Sequence, residues 1–186
     1  MTNLCTLVVC AAPLATRAAD VAGELVAAGW RLHVLVTPAA SSWIDAAALA
    51  VASGQIPRSE YRSPEDPKSR EKPAAVIVVP ITFNTVGKLA GGIADTLAHS
   101  AMCEALGQGV PILTVPMVNN KLWGHPAWES NLERLSSAGV RWLSIHDGTI
   151  GEPKVVQSGT GDDLVRRFDP LWITSHLPPP DPLLLS

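Results

Sequence analysis

Two stretches of this 186-residue chain bring polar side chains to positions where chemistry could be done. The first, Pro80-Ile81-Thr82-Phe83-Asn84-Thr85, follows a strongly apolar run and opens a helix. The first amides of a helix lack intrahelical acceptors, so they suit an anion or the polar edge of a ring. Asn84 and Thr85 also read as plain N-caps of that helix. The second stretch, Pro116-Met117-Val118-Asn119-Asn120-Lys121-Leu122-Trp123, pairs amides with a tryptophan after another apolar run. Its plainer reading is a loop folded over the core by Trp123.

The remaining chemistry-bearing residues are less informative. Gly87-Lys88 is not a phosphate loop, because no glycine stands five residues earlier and Leu89 replaces the required Ser or Thr. Cys5, Cys10 and Cys103 are too few and wrongly spaced for a disulfide framework or a zinc site, so no metal is expected. His33 lies in an apolar strand, His99 on a helix and His146 at a strand end, and each reads as structural or exposed. His125, just before Pro126, either caps a helix or reaches the site.

The elements that position these stretches follow from the apolar pattern. Runs at 4–11, 32–36, 74–79, 110–115 and 140–145 are nearly continuous and β-branched, as in strands buried on both faces. Helices are expected at 16–28 (closed by Gly29), from Thr37-Pro38 to about 52, around 85–89, at 93–106, at 126–138 (stopped by Gly139) and at 162–168. Alternating strands and helices imply right-handed crossovers and a parallel sheet covered on both faces. The predicted fold class is α/β: a three-layer αβα, Rossmann-like (flavodoxin-like) domain over 1–176 with a Pro-rich tail at 177–186. Ligands of such sheets bind beyond the carboxyl ends of the strands. Segments 11–17, 37–43, 80–88 and 116–126 occupy those positions.

Composition narrows the function classes. The chain is 47% apolar and 17% charged with a formal net charge of −3, which excludes a disordered chain. No Lys/Arg block marks a nucleic-acid groove or a membrane-surface helix, and no apolar window is long enough to span a bilayer. The start, Met1-Thr2-Asn3-Leu4, lacks a basic leader region, so a cytoplasmic location is expected. A typical domain carries nearer a quarter charged residues. Here nine of the 31 charged residues crowd between Pro57 and Pro73 in a solvated loop, and the pale remainder points to a homo-oligomer.

Together the two polar stretches resemble the flavin-containing cysteine decarboxylases, a family that includes phosphopantothenoylcysteine decarboxylase and the lantibiotic peptidyl-cysteine decarboxylases. That family carries P-A-S/T-A-N-T continuing into K-L-A-x-G-I-A-D-x-L, where this chain reads PITFNTVGKLAGGIADTL from Pro80 to Leu97. The family's P-x-M-N-x-x-M-W-x-x-P is matched at Pro116 to Pro126, with Val118 and Leu122 for the methionines. VLVTPAASSWI, from Val34 to Ile44, is similar to the family's exit from its second strand.

The resemblance implies FMN at the carboxyl edge of the sheet, between subunits of a trimer or an assembly of trimers. It implies cofactor contacts from Ala12, Pro13, Thr37, Trp43, Pro80, Thr82, Phe83, Asn84, Thr85 and Met117, with Asn84 and Asn119 orienting the substrate carboxylate. The substrate class would be a small thiol acid or a peptide C-terminal cysteine. In the family, hydride passes from the carbon bearing sulfur to the flavin, and the resulting thiocarbonyl takes up electrons as CO₂ departs. Three departures stand out. Asp66 occupies the position of the family's catalytic histidine, and its ordinary pKa near 3.9 differs from about 6.5 for histidine. Ala11-Ala12-Pro13 replaces a Gly/Ser-rich first loop, leaving Arg17 as an expected aid to the phosphate. No cysteine follows Cys103, so the pantothenate role is not expected. The alternative expectation is a non-catalytic FMN-binding regulatory or partner subunit.

Overall fold

The computed structural model describes residues 3–63, 65 and 71–178. Asp66 and most of the Pro-rich tail lie outside them. Five strands form one parallel sheet: β1 (Leu4–Val9), β2 (Arg31–Val36), β3 (Ala75–Ile81), β4 (Ile112–Pro116) and β5 (Val140–Trp142). Their spatial order is β2-β1-β3-β4-β5. The helices are α1 (Ala18–Ala27), α2 (Ala46–Ser53), α3 (Phe83–Ala90), α4 (Leu97–Gly107), α5 (Asn120–Trp123), α6 (Trp128–Ser137), α7 (Gly161–Arg167) and α8 (Leu171–Thr174). This is the three-layer αβα architecture. Among the described residues no helix is long and apolar enough to cross a membrane.

Strand alternation divides the core between the two faces. Leu7 and Val9 of β1, with Ile77 and Val79 of β3, pack on one face with Leu14, Leu25, Leu49, Leu164 and Ile173. Val8, Val76 and Val78 pack on the other with Val86, Met102, Trp128 and Leu135. Each fully buried Leu, Ile or Val side chain contributes about 2 kcal/mol of transfer free energy. Both faces of β1, β3 and β4 are covered, which is why those strands read as unbroken apolar runs.

Local chemistry set several boundaries differently from the apolar pattern. The helix expected from Thr37 to about 52 divides into a 3-10 turn at Pro38–Ser42 and α2, because Asp45 accepts the Ala48 N–H and starts a new helix. The helix expected from residue 93 begins at Leu97, where Thr96 accepts the His99 N–H. A 3-10 turn at Pro13–Arg17 precedes α1. β3 continues through Pro80 to Ile81, with a register shift against β4 after Val78. Gly29, at φ +91°, ends the α1 segment as its position in the sequence implies.

The strand order creates the site. The chain moves from β1 to β2 on one side, then returns across β1 to place β3 on its other side. The connections leaving β1 and β3 therefore diverge, and a crevice opens between them at the carboxyl edge.

Candidate functional site

A cavity of about 760 Å³ fills that crevice. The four strand exits contribute Ala11, Ala12 and Pro13 after β1; Thr37 and Trp43 after β2; Thr82 to Thr85 after β3; and Met117 to Asn119 after β4. Ala12, Pro13, Thr37, Trp43, Thr82, Phe83, Asn84, Thr85, Met117 and Asn119 thus surround one space. Pro80 does not line it, because it lies buried inside the extended β3. Asp66 lies outside the described residues.

The α3 terminus is built by its first residues. Thr82, not Asn84 or Thr85, is the N-cap, and its Oγ1 accepts the Thr85 N–H at 3.3 Å. Thr85 is buried, and its hydroxyl donates to the Cys10 sulfur at 3.4 Å. Burial pushes the Cys10 thiol up to about 11, despite hydrogen bonds from Thr85 and the Thr82 backbone. Cys10 is therefore a protonated anchor under the helix rather than a nucleophile. Asn84 stands exposed on the rim. Phe83 borders the cavity, while its ring packs against Trp128 (centroids 5.5 Å) and edge-on to His125 (5.4 Å).

The β4 exit is held by equally local bonds. Asn119 caps α5, its Oδ1 accepting the N–H groups of Lys121 and Leu122 at 3.0 and 3.1 Å. Met117 sulfur accepts the Leu14 N–H at 3.3 Å, tying this exit to the first loop. In that loop the Ala12 and Leu14 amides are already bonded and Pro13 has none, so it is not a phosphate cradle. Arg17 offers no help there. It pairs with Asp20 and donates to the Val165 and Phe168 carbonyls, fastening α7.

Two other aromatic side chains fall elsewhere. Trp123 packs against Trp128 at 5.0 Å, as in the plain reading of a loop folded over the core. His125 Nδ1 accepts the Ala127 N–H, which is the capping reading. Both belong to a second cavity against β5.

Sequence reasoning missed part of the switch-point cavity. Gln157, Ser158, Gly159 and Gly161 close one side, brought there when Val156 bridges to Asn119 and Asn120 accepts the Ser158 N–H. A Cβ on Gly161 would meet Met117 Cε at 3.3 Å, so the loop sits tightly over the site. The Ser-Gly-Thr-Gly run was a visible signal of close backbone approach. Lys88, Thr96 and His99 also line the cavity. His99 read only as a structural or exposed helix residue and gave no sign of its destination.

The family model described as Flavoprotein matches residues 3–165, and the chain belongs to this family. It is 31% identical over 147 residues to the "Probable phosphopantothenoylcysteine decarboxylase" of Streptococcus mutans, covering 76% of this chain and 82% of that protein. Against the coenzyme A biosynthesis bifunctional protein of Thermococcus kodakarensis it is 27% identical, covering 69% of this chain and spanning only 33% of that protein. Among solved structures, the FMN-dependent cysteine decarboxylase TvaF from thioviridamide biosynthesis superposes with a TM-score of 0.65 at 21% identity, covering 88% of this chain and 98% of that one. A PPC decarboxylase mutant complexed with pantothenoylaminoethenethiol gives 0.66 at 19% identity, covering 77% and 82%. These superpositions bear on the fold.

Proposed function

We propose that the switch-point cavity binds FMN and that the protein carries out oxidative decarboxylation of a small thiol acid or a peptide C-terminal cysteine. The observation that carries this reading is the convergence of both polar stretches on one cavity, from the exits of adjacent strands β3 and β4. About 760 Å³ lies within the range of cofactor pockets. The walls fit a flavin: Trp43, Met117 and Val118 give apolar surface, while Asn84 and Asn119 give neutral donors and acceptors for the polar edge of a ring. Hydroxyls of Thr37 and Ser158 and the α3 terminus would hold the phosphate, since Lys88 is engaged with Asp95 at 2.6 Å.

When bound, FMN would supply the two-electron acceptor for the carbon bearing sulfur. The chain's own residues position and shield. Neutral Asn84 and Asn119 orient a carboxylate without burying a cation, and the 157–161 segment with Trp43 excludes water. A homotrimer, or an assembly of trimers, is the expected assembly. Between Pro38 and Pro57 Asp45 is the sole charged residue, and Trp43, Val51 and Ile56 are exposed there. That nearly uncharged stretch reaches the cavity at Trp43, so a neighbouring copy on it would complete the site.

The test is reconstitution with FMN, followed by mass spectrometry of cysteine-terminated peptides for loss of CO₂ and two hydrogens. Bound flavin with turnover supports the reading. Absence of bound flavin contradicts it. The second reading, a non-catalytic flavoprotein subunit, is favoured by Asp66 at the position of the family's histidine. A yellow protein inactive on every cysteine peptide, and activated by Asp66→His, would select that alternative.

A further inference from the structure

His99 occupies the first turn of α4, and this residue, only 2% exposed, is among those that line the cavity. Its Nδ1 lies 2.8 Å from Thr96 Oγ1 and 3.0 Å from Asp95 Oδ1. The other Asp95 oxygen takes Lys88 Nζ at 2.6 Å. A carboxylate can only accept, so the proton shared with Asp95 sits on Nδ1 and the lone pair on Nε2. Nε2 is buried and has no hydrogen-bond partner among the described residues. Capping of α4 accounts for Nδ1 and leaves Nε2 unexplained. Bare buried polar atoms are rare in native proteins, and one in a cavity wall points to a ligand.

We propose that Asp95 and His99 form the proton relay of this cavity, with Nε2 of His99 accepting the proton of the ligand's thiol. This rests on the reading of the cavity as a site for a cysteine-like thiol. In the step the S–H bond breaks and an Nε2–H bond forms. The electron pair stays on sulfur as thiolate, and Asp95 balances the imidazolium. No electron is transferred, so the step needs no co-reactant. It also supplies a base in a chain whose sequence has Asp66 at the position of the family's histidine. The charged groups acting on the ring are Lys88 from α3 and Asp95 from the turn before α4. Burial, then Lys88, hold the imidazole below its usual range, with Asp95 opposing them. The ring is therefore neutral at neutral pH and free to accept.

Glutamine at position 99 would complete a capping box with Thr96, so His99→Gln removes the base while keeping the helix start. The experiment uses the full chain loaded with reduced FMN under argon, where no oxidation can follow. Imidazole ¹⁵N spectra are recorded with a short cysteine-terminated peptide and with its alanine counterpart. Nε2 is expected to be unprotonated without peptide, to shift as it accepts a hydrogen bond from the thiol of the cysteine peptide, and to stay unshifted with the alanine peptide. With oxidised FMN, His99→Gln is expected to lower turnover about 100-fold or more in protein that still retains bound flavin. Asp95→Asn should shift the acid limb of the pH–rate profile. A protonated Nε2 in the peptide-free protein overturns the relay. So does an Nε2 unresponsive to a bound cysteine peptide, or a His99→Gln variant with wild-type turnover. A folded, flavin-loaded protein that binds no cysteine peptide instead overturns the proposed function, and the thiol step falls with it.

Discussion

Two of the cavities among the described residues are of similar size, about 760 Å³ at the switch point and about 890 Å³ against β5. Both have tryptophan in their walls. The first collects four strand exits and the start of an eight-residue helix. The second is bounded by α6, the edge strand β5 and the 150–153 connection, with Glu129, Glu133 and Glu152 around Trp123, Trp128 and Trp142. Volume does not distinguish them, but topology does. Where neighbouring connections diverge, the exits of four strands and their short polar side chains face one space.

That contrast can be broken most severely by turnover. Asn119→Ala and Asn84→Ala should each lower decarboxylation by about 10- to 100-fold, while Trp123→Ala in the edge cavity leaves it near wild type. Comparable losses from Trp123→Ala would remove the distinction. Phe83 borders the first cavity and packs against Trp128 of the second, so Phe83→Ala should disturb both. A loss of about 2 kcal/mol in urea unfolding is expected, together with weaker flavin binding. Trp43→Ala should weaken FMN binding about tenfold, or ~1.4 kcal/mol, through lost aromatic contact, with little change in unfolding because its side chain is 41% exposed.

The pH dependence follows from two imidazoles. Burial is the main cause holding both His33 and His99 below their usual range. The unfolded chain therefore binds more protons than the folded one just below about pH 6.5. Stability is full above that value and falls as pH drops toward the folded-state values. Thermal melts between about pH 7 and pH 5 should show this decline, flattened in a His33→Gln/His99→Gln double variant. The smallest effect belongs to the edge cavity. Trp128 Nε1 is buried without a partner among the described residues, so Trp128→Phe should change stability by less than about 1 kcal/mol and leave FMN affinity unaltered.

Much of this was legible in the sequence, and for physical reasons. The central strands bury both faces, so their apolar runs gave the sheet directly. Asn119 and Thr82 stood in stretches whose polar residues had no place in a core. What escaped was set by distance along the chain. Ser158 and Gly161 reach the cavity only through the Val156 bridge to Asn119. His99 reaches it because Thr96 delays the helix by one turn from the expected start. Pro80 was expected just beyond a strand ending at residue 79, whereas β3 continues through it to Ile81.

The most direct test of the central claim is a backbone amide NMR map of the protein on addition of FMN. Shifts concentrated at Thr82 to Lys88, Met117 to Asn119 and Gln157 to Gly161, with Glu129 to Ser136 and Gly151 unmoved, are predicted. No shift at saturating FMN, or shifts confined to the β5 cavity, would contradict it.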